Sequence, residues 1–247
     1  MAVVVIGGNG GLGSELVTEL RSGGAEVVPA SRRTGFDLAT GQGVAEMLAD
    51  ADVIVHAARS LHFRRVDLDG TRRLVRVVGD AGRGPHVIYV SIVGCDINPY
   101  PYYRAKHAAE IVLRKSGLPV TVARATQFHT LIAALAGAAR WPVAFAPPNA
   151  ASQPCDRSWL AQQLAGITLG PVSDGYRRAT DLAGPEVITV PEAVRLVCEH
   201  DGRRIPRLIS LPTVGGTLTS FAARTNLPGA DVVTGGRTFA DWLATRP

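Results

Sequence analysis

Ser91, Tyr102 and Lys106 are the side chains whose types and spacing could do chemistry. Tyr102 and Lys106 stand four residues apart, so in a helix they share a face. A phenol ordinarily ionises near pH 10, too high for easy proton exchange at neutral pH. A lysine ammonium close by favours the phenolate and brings that value down. Such a phenol can hand a proton to a carbonyl oxygen while a reductant attacks the carbon, with a serine hydroxyl orienting the same oxygen. Tyr103 competes for the role at spacing three from the lysine. Lys106 is one of two lysines in a chain with 26 basic residues, the other being Lys115, which makes chance a less comfortable explanation for the pair.

Several elements must position these groups. Val3 to Ile6 is a β-branched apolar run fit for a buried strand, and five glycines crowd residues 7–13 behind it. Ser14 to Leu20 then opens a helix, with Leu16, Val17 and Leu20 on one face. Strand, glycine turn and helix in that order aim helix-end N–H groups at a pyrophosphate, as in a dinucleotide site. Two registers fit: Gly8, Gly10 and Gly13, or Gly7, Gly10 and Gly13. Further strands are expected at Glu26–Pro29, Gly35–Leu38, Asp52–His56, Val87–Ser91 and Val120–Ala123, with helices near 13–21, 41–50, 66–82 and 101–116. This alternation predicts an α/β fold, a Rossmann-type doubly wound parallel sheet, and it sets Ser91 on the sheet's carboxyl edge. After residue 128 prolines break the pattern, and helices are expected near 130–140, 156–169 and 191–201. The organisation expected is a dinucleotide-binding core over 1–128 and a small C-terminal substrate lobe over 129–247 packed on it, together one compact unit.

Composition narrows the rest. At 247 residues and 46% hydrophobic, the chain can bury a full core. The net charge of +5 comes from arginines scattered in pairs, not from a stripe interleaved with aromatics, which argues against nucleic acid. Leu131–Ala139, the longest apolar stretch, is too short to span a bilayer, and the start lacks the basic region of a signal peptide. Cys95, Cys155 and Cys198 are too scattered for a disulfide framework or zinc site, so no metal is expected. A cytoplasmic protein, monomer or homodimer, acting on a small molecule is the expectation. The second strand ends in Ser31-Arg32-Arg33, where an acidic residue would repel a 2′-phosphate and arginine can pair with it. That favours NADP(H) over NAD(H). Asp37 could take the adenine amine, with Leu38 against the ring.

At this point the chain resembles the atypical short-chain dehydrogenase/reductases of the NmrA-like, NAD(P)-binding family. The resemblance rests on Gly7-x-x-Gly10-x-x-Gly13, His56-Ala57-Ala58, Asp67-Leu68-Asp69-Gly70-Thr71, Val90-Ser91-Ile92-Val93-Gly94, Tyr102-Tyr103-Arg104-Ala105-Lys106 and Arg124-Ala125-Thr126-Gln127-Phe128. It selects the Gly7 register, with Asn9, Gly11 and Leu12 in the same turn. It implies that Ala57, Ala58 and Arg59 lie near the adenosine and phosphates, and Ala125, Thr126, Gln127 and Phe128 near the nicotinamide. It further implies that Ser91, Tyr102 and Lys106 form a catalytic triad, Lys106 also binding the nicotinamide ribose. Asp67 departs from the family pattern, where an asparagine holds a relay water. The activity implied is NADPH-dependent reduction of a carbonyl, quinone or activated double bond of a small molecule, aromatic ones included, with Tyr102 as proton donor. The alternatives are a redox sensor that binds NADP(H) without turnover, or a non-redox isomerase or dehydratase that retains the cofactor. His129, Trp141 and Cys95 are candidates for substrate contact.

Overall fold

Four β-branched apolar residues in a row have no polar face, so they suit a strand covered on both sides. In the computed structural model, which describes residues 1–247 except Leu61, Ala81, Arg83, Ser173 and Pro247, they form β1 (Ala2–Ile6) with Val3 to Ile6 buried. There follow α1 (Gly11–Ser22), β2 (Glu26–Ala30), α2 (Val44–Leu48), β3 (Val53–His56), α3 (Gly70–Asp80), β4 (His86–Ile92), α4 (Pro101–Arg114) and β5 (Val120–Ala125). Next come α5 (His129–Gly137), β6 (Val143–Ala146), β7 (Ala151–Ser152), α6 (Arg157–Leu169), β8 (Tyr176–Arg178), β9 (Asp181–Ala183) and β10 (Ile188–Thr189). The chain closes with α7 (Val190–His200), β11 (Arg207–Ser210), α8 (Gly216–Ala222), β12 (Val232–Thr234) and α9 (Phe239–Ala244).

These elements build two compact units. The first holds Met1–Ser91, Arg104–Arg124 and Leu160–Ala179; the second holds Ile92–Tyr103, Ala125–Trp159 and Thr180–Pro247. The expected division at residue 128 is therefore crossed in both directions. Most of α6 joins the first unit, where Leu169 lies against Gly23 at the end of α1.

In the first unit the strands lie in the order β2–β1–β3–β4–β5–β8. The pairs β1–β2, β1–β3, β3–β4 and β5–β8 are parallel, with Val4 opposite both Val28 and Ile54. The order reverses between β1 and β3, the switch point at which open α/β sheets bind ligands beyond their carboxyl ends. Core residues such as Ile6, Phe36, Leu38, Ile54, Leu74, Tyr89 and Leu113 pack around this sheet.

Three expectations need correction here. No strand forms over Gly35–Leu38; a 3₁₀ turn, Arg32–Thr34, is followed by one isolated bridge between Asp37 and Gln42. Thr34 Oγ1 accepts from Ser31 N at 2.9 Å, which closes the turn, while Phe36 and Leu38 are buried two apart and so mimic strand alternation. The second helix is only Val44–Leu48, because Gly43 has φ +66°, outside helical space. The third begins early: Arg64–Asp69 is π-helical and runs into α3, whose expected continuation through residue 81 lies outside the described residues.

The second unit is built on α5, α7 and α9, which bury Ile132, Ala136, Val194, Val197, Phe239 and Leu243 together. Its strands form small pairings: β9 with β12 parallel, β6 with β11 parallel, β7 with β10 antiparallel. Ala125, the last residue of β5, pairs with Leu182 of β9. Among the described residues no helix is long and apolar enough to cross a membrane.

Candidate functional site

The glycine turn after β1 owes its shape to contacts that admit no side chain. A Cβ on Gly13 would fall within bonding reach of Gly7 O, and one on Gly7, whose φ is +86°, would sit 2.8 Å from Ala58 Cα. Gly8 packs as closely on Pro29 at 2.7 Å, whereas a Cβ on Gly10 meets only Gly7 O at 3.1 Å. Gly7, Gly8 and Gly13 thus all stand where a side chain would crowd backbone, and Gly10 donates its N–H to Gly7 O at 2.8 Å. Beyond the turn, α1 starts at Gly11 with Gly10 as cap, has no acidic residue in its first turn, and leaves Gly10, Gly11 and Asn9 exposed. Leu12 turns inward. An exposed, bare backbone at a helix start with no acidic residue in its first turn fits the pyrophosphate of a dinucleotide.

Beside this turn, Ser31 Oγ donates to Asn9 Oδ1 at 2.7 Å and ties the end of β2 to the glycine loop. Arg32 and Arg33 are exposed there. Asp37 is half-buried, and its Oδ1 accepts from Ala39 N at 2.8 Å. Leu38 does not lie open to a ring: it is 4% exposed, buried in the core, and would touch a Cβ on Gly70. Ala57 and Ala58 are half-buried against the turn and Arg59 is exposed. His56, ending β3, is buried with its ring 5.2 Å edge-on from Tyr89; burial first, and then the Lys106 charge, lower its pKa to about 4.

Two ion pairs lie buried along α4 in the first unit. Lys106 Nζ is 2.8 Å from Asp67 Oδ1 and donates to Val90 O at 2.8 Å. One turn on, Glu110 accepts from Arg124 twice, Nε at 2.9 Å and Nη2 at 2.7 Å. Ser91 Oγ also donates to Glu110, at 2.5 Å. A serine hydroxyl has one proton. In this arrangement the Ser91 proton is directed at Glu110. Glu110 follows Tyr102 and Lys106 at the same four-residue spacing along α4.

The two tyrosines differ in burial. Tyr103 is 3% exposed, its oxygen accepts from Gln127 Nε2 at 2.6 Å, and its ring meets Tyr100, Tyr102 and Phe221 edge-on. Burial pushes its phenol well above the ordinary range. Tyr102 is half-buried. Cys95 is a filler, buried with Ile92 and Tyr103. After β5, Ala125, Thr126 and Gln127 are buried and Phe128 is half-buried, with Cys155 N donating to Gln127 O.

Of two expected substrate contacts in the second unit, one is buried and one exposed. His129 is 1% exposed, its Nε2 lies 3.0 Å from Arg237 O, and its ring meets those of Phe239 and Trp242 at a tilt. Trp141 is 60% exposed under the Arg204 guanidinium, and Phe145 is exposed too. Asp156, overlooked in the sequence, caps α6 through Ser158 N and is held by Arg237; the arginine and the Ser158 hydrogen bonds outweigh its burial and keep its carboxyl below the usual range.

No family model and no curated protein matches the sequence. Solved structures do match in fold. An NADPH-dependent quinone oxidoreductase, QOR2, from Escherichia coli, complexed with NADPH, superposes with TM-score 0.77 at 14% identity over 98% of both chains. A nucleoside-diphosphate-sugar epimerase from Staphylococcus aureus gives 0.75 at 15% identity, over 98% of this chain and 99% of the other. DesIV, a dTDP-glucose 4,6-dehydratase from Streptomyces venezuelae with NAD and TYD bound, gives 0.67 at 19%, over 99% and 95%. The fold is thus Rossmann-like α/β, with a mostly parallel central sheet and flanking helices.

Proposed function

We propose that this chain is an NADP(H)-dependent oxidoreductase that reduces a carbonyl, quinone or activated double bond of a small molecule. The observation that carries this reading is α4, where half-buried Tyr102 stands one turn from a lysine whose ammonium is buried at the end of β4. Support comes from the glycine turn, whose bare backbone suits a pyrophosphate, and from exposed Arg32 and Arg33, which suit a 2′-phosphate. Asp37, Ala57, Ala58 and Arg59 are assigned to the adenosine side, and Ala125 to Phe128 to the nicotinamide side. A reduced nicotinamide, when bound, supplies hydride. The substrate oxygen then needs one proton, and Tyr102 is the group assigned to give it. The E. coli protein of the same fold is by its name a quinone oxidoreductase crystallised with NADPH, which makes quinones the first substrates to try.

The test is NADPH and NADH consumption with a panel of quinones and ketones, in the native chain and in Tyr102→Phe. Turnover is expected with NADPH in preference to NADH, and a loss of at least a hundredfold in kcat for Y102F with NADPH affinity within threefold of native. Unchanged kcat in Y102F removes the proton-donor assignment. Tight NADPH binding with no consumption across the panel replaces the enzyme by a sensor.

A further inference from the structure

A carboxylate and an ammonium sealed together against a reactive helix change what that helix can do. Asp67 is 0% exposed and Lys106 4%. Tyr89 donates to the same Asp67 Oδ1 at 3.3 Å, and Lys106 Nζ lies 4.7 Å from the centre of the Tyr89 ring. Asp67 belongs to the π-helical stretch Arg64–Asp69, whose wider turn rotates its side chains relative to an α-helix and leaves Asp67 as its one buried residue. A lone ammonium in such surroundings is strongly disfavoured, so the pair stands or falls together.

Among the described residues, the neighbours named next are neutral or matched. His56, at the end of β3, is neutral, and Tyr89 faces the ammonium with its ring. Glu110, one turn further along α4, is matched by Arg124. At the start of the helix Tyr102 meets the buried, neutral phenol of Tyr103. Lys106 and Asp67 therefore sum to zero and act on α4 as a dipole.

We propose that Asp67 is a positioning residue: its carboxylate fixes Lys106 and cancels its charge, so that the phenol on α4 stays protonated, and able to give a proton, up to a higher pH. The inference rests on the reading that Tyr102 gives the proton. An uncompensated ammonium one helical turn away favours a phenolate, the form that takes a proton from an alcohol or hydroquinone as hydride leaves it. A compensated pair acts far more weakly and leaves a phenol in the protonated form that reduction needs. In that direction the substrate carbon gains hydride, two electrons and a proton, from the reduced nicotinamide. The substrate oxygen gains the phenol's proton, and water reprotonates the phenolate.

Asp67→Asn keeps the shape and the acceptor oxygen and removes the charge. With NADPH and a quinone or ketone from the panel, D67N is expected to move the alkaline limb of the reduction rate down by about one pH unit or more. NADPH affinity should stay within about threefold of native. A folded D67N whose limb does not move overturns the proposal. Where D67N fails to fold, D67N/K106M, which lacks both charges, is compared with K106M by thermal unfolding. A higher Tm for the double variant supports the pairing, and an equal or lower one overturns it. The same comparison stands apart from the catalytic reading: a fully active Y102F would end the proton-donor role and leave the stability of the pair still tested.

Discussion

Ser91 shows how burial engages a hydroxyl whose residue type alone suggests catalysis. On the carboxyl edge of β4 it looks like a catalytic hydroxyl, yet its proton goes to Glu110, which Arg124 holds with two further bonds. Both ends of that ion pair are nearly inaccessible, at 3% and 5% exposure. Glu110→Ala should therefore leave Arg124 as an uncompensated buried charge and lower the unfolding free energy by about 3–5 kcal/mol, read from urea denaturation. The paired replacement Glu110→Leu with Arg124→Met should recover most of that loss, because each removed charge no longer strands the other. If the double variant is as unstable as the sum of the singles, the pair is not what holds these residues. Tyr102 and Lys106 were legible in the sequence because helical spacing alone relates them. Asp67 was visible only as a departure from pattern, since its partner comes from a distant helix and no local spacing encodes that meeting.

Between β1 and α1, a single oxygen governs which glycines matter. Gly13 lies against Gly7 O so closely that any Cβ must push the turn open, whereas Gly10 approaches the same oxygen at 3.1 Å and can be accommodated by a small shift. Gly13→Ala should thus displace the start of α1, costing about 1–3 kcal/mol and weakening NADPH binding at least about tenfold in a fluorescence titration. Gly10→Ala should lose less of both. Equal effects at the two positions would mean that chain flexibility, not the close approach, explains the glycines. This strand–turn–helix unit was readable because β-branched residues, clustered glycines and an amphipathic helix succeed one another at short range. The segment after β2 was not. Phe36 and Leu38 are buried two apart as in a strand, but the Ser31–Thr34 turn and its hydrogen bonds leave them no neighbouring strand to pair with. In the same way the π-helical turn at Arg64–Asp69 has no local marker; it shows itself only through Asp67, turned inward to meet Lys106.

Across the whole molecule, buried neutral histidines set the response to acid. His56 and His86 in the first unit and His129 in the second all have pKa values held below the ordinary 6.5, in each case chiefly by burial. His86 Nε2 pairs with Thr121 Oγ1 at 2.8 Å, and the charge of Arg177 adds to the lowering. A group with a lowered folded-state pKa binds its proton more readily once unfolded, so the unfolded chain gains protons first as the pH drops. Stability should therefore be level above about pH 7 and fall between about 6.5 and 4, where unfolded histidines are charged and His56 is still neutral. Over that window His56 alone accounts for about 3 kcal/mol, from a folded value of about 4 against 6.5 unfolded. Asp156 also has a lowered pKa, but its contribution is lost only below the ordinary carboxylate value of 3.8, outside this window. Urea unfolding at half-unit steps from pH 7.5 to 4 separates the two. His56→Phe keeps a ring against Tyr89 and removes the proton site, so its stability curve should be flatter than the native one between pH 6.5 and 4. A variant curve parallel to the native curve would show that His56 is not the group whose protonation the fold resists.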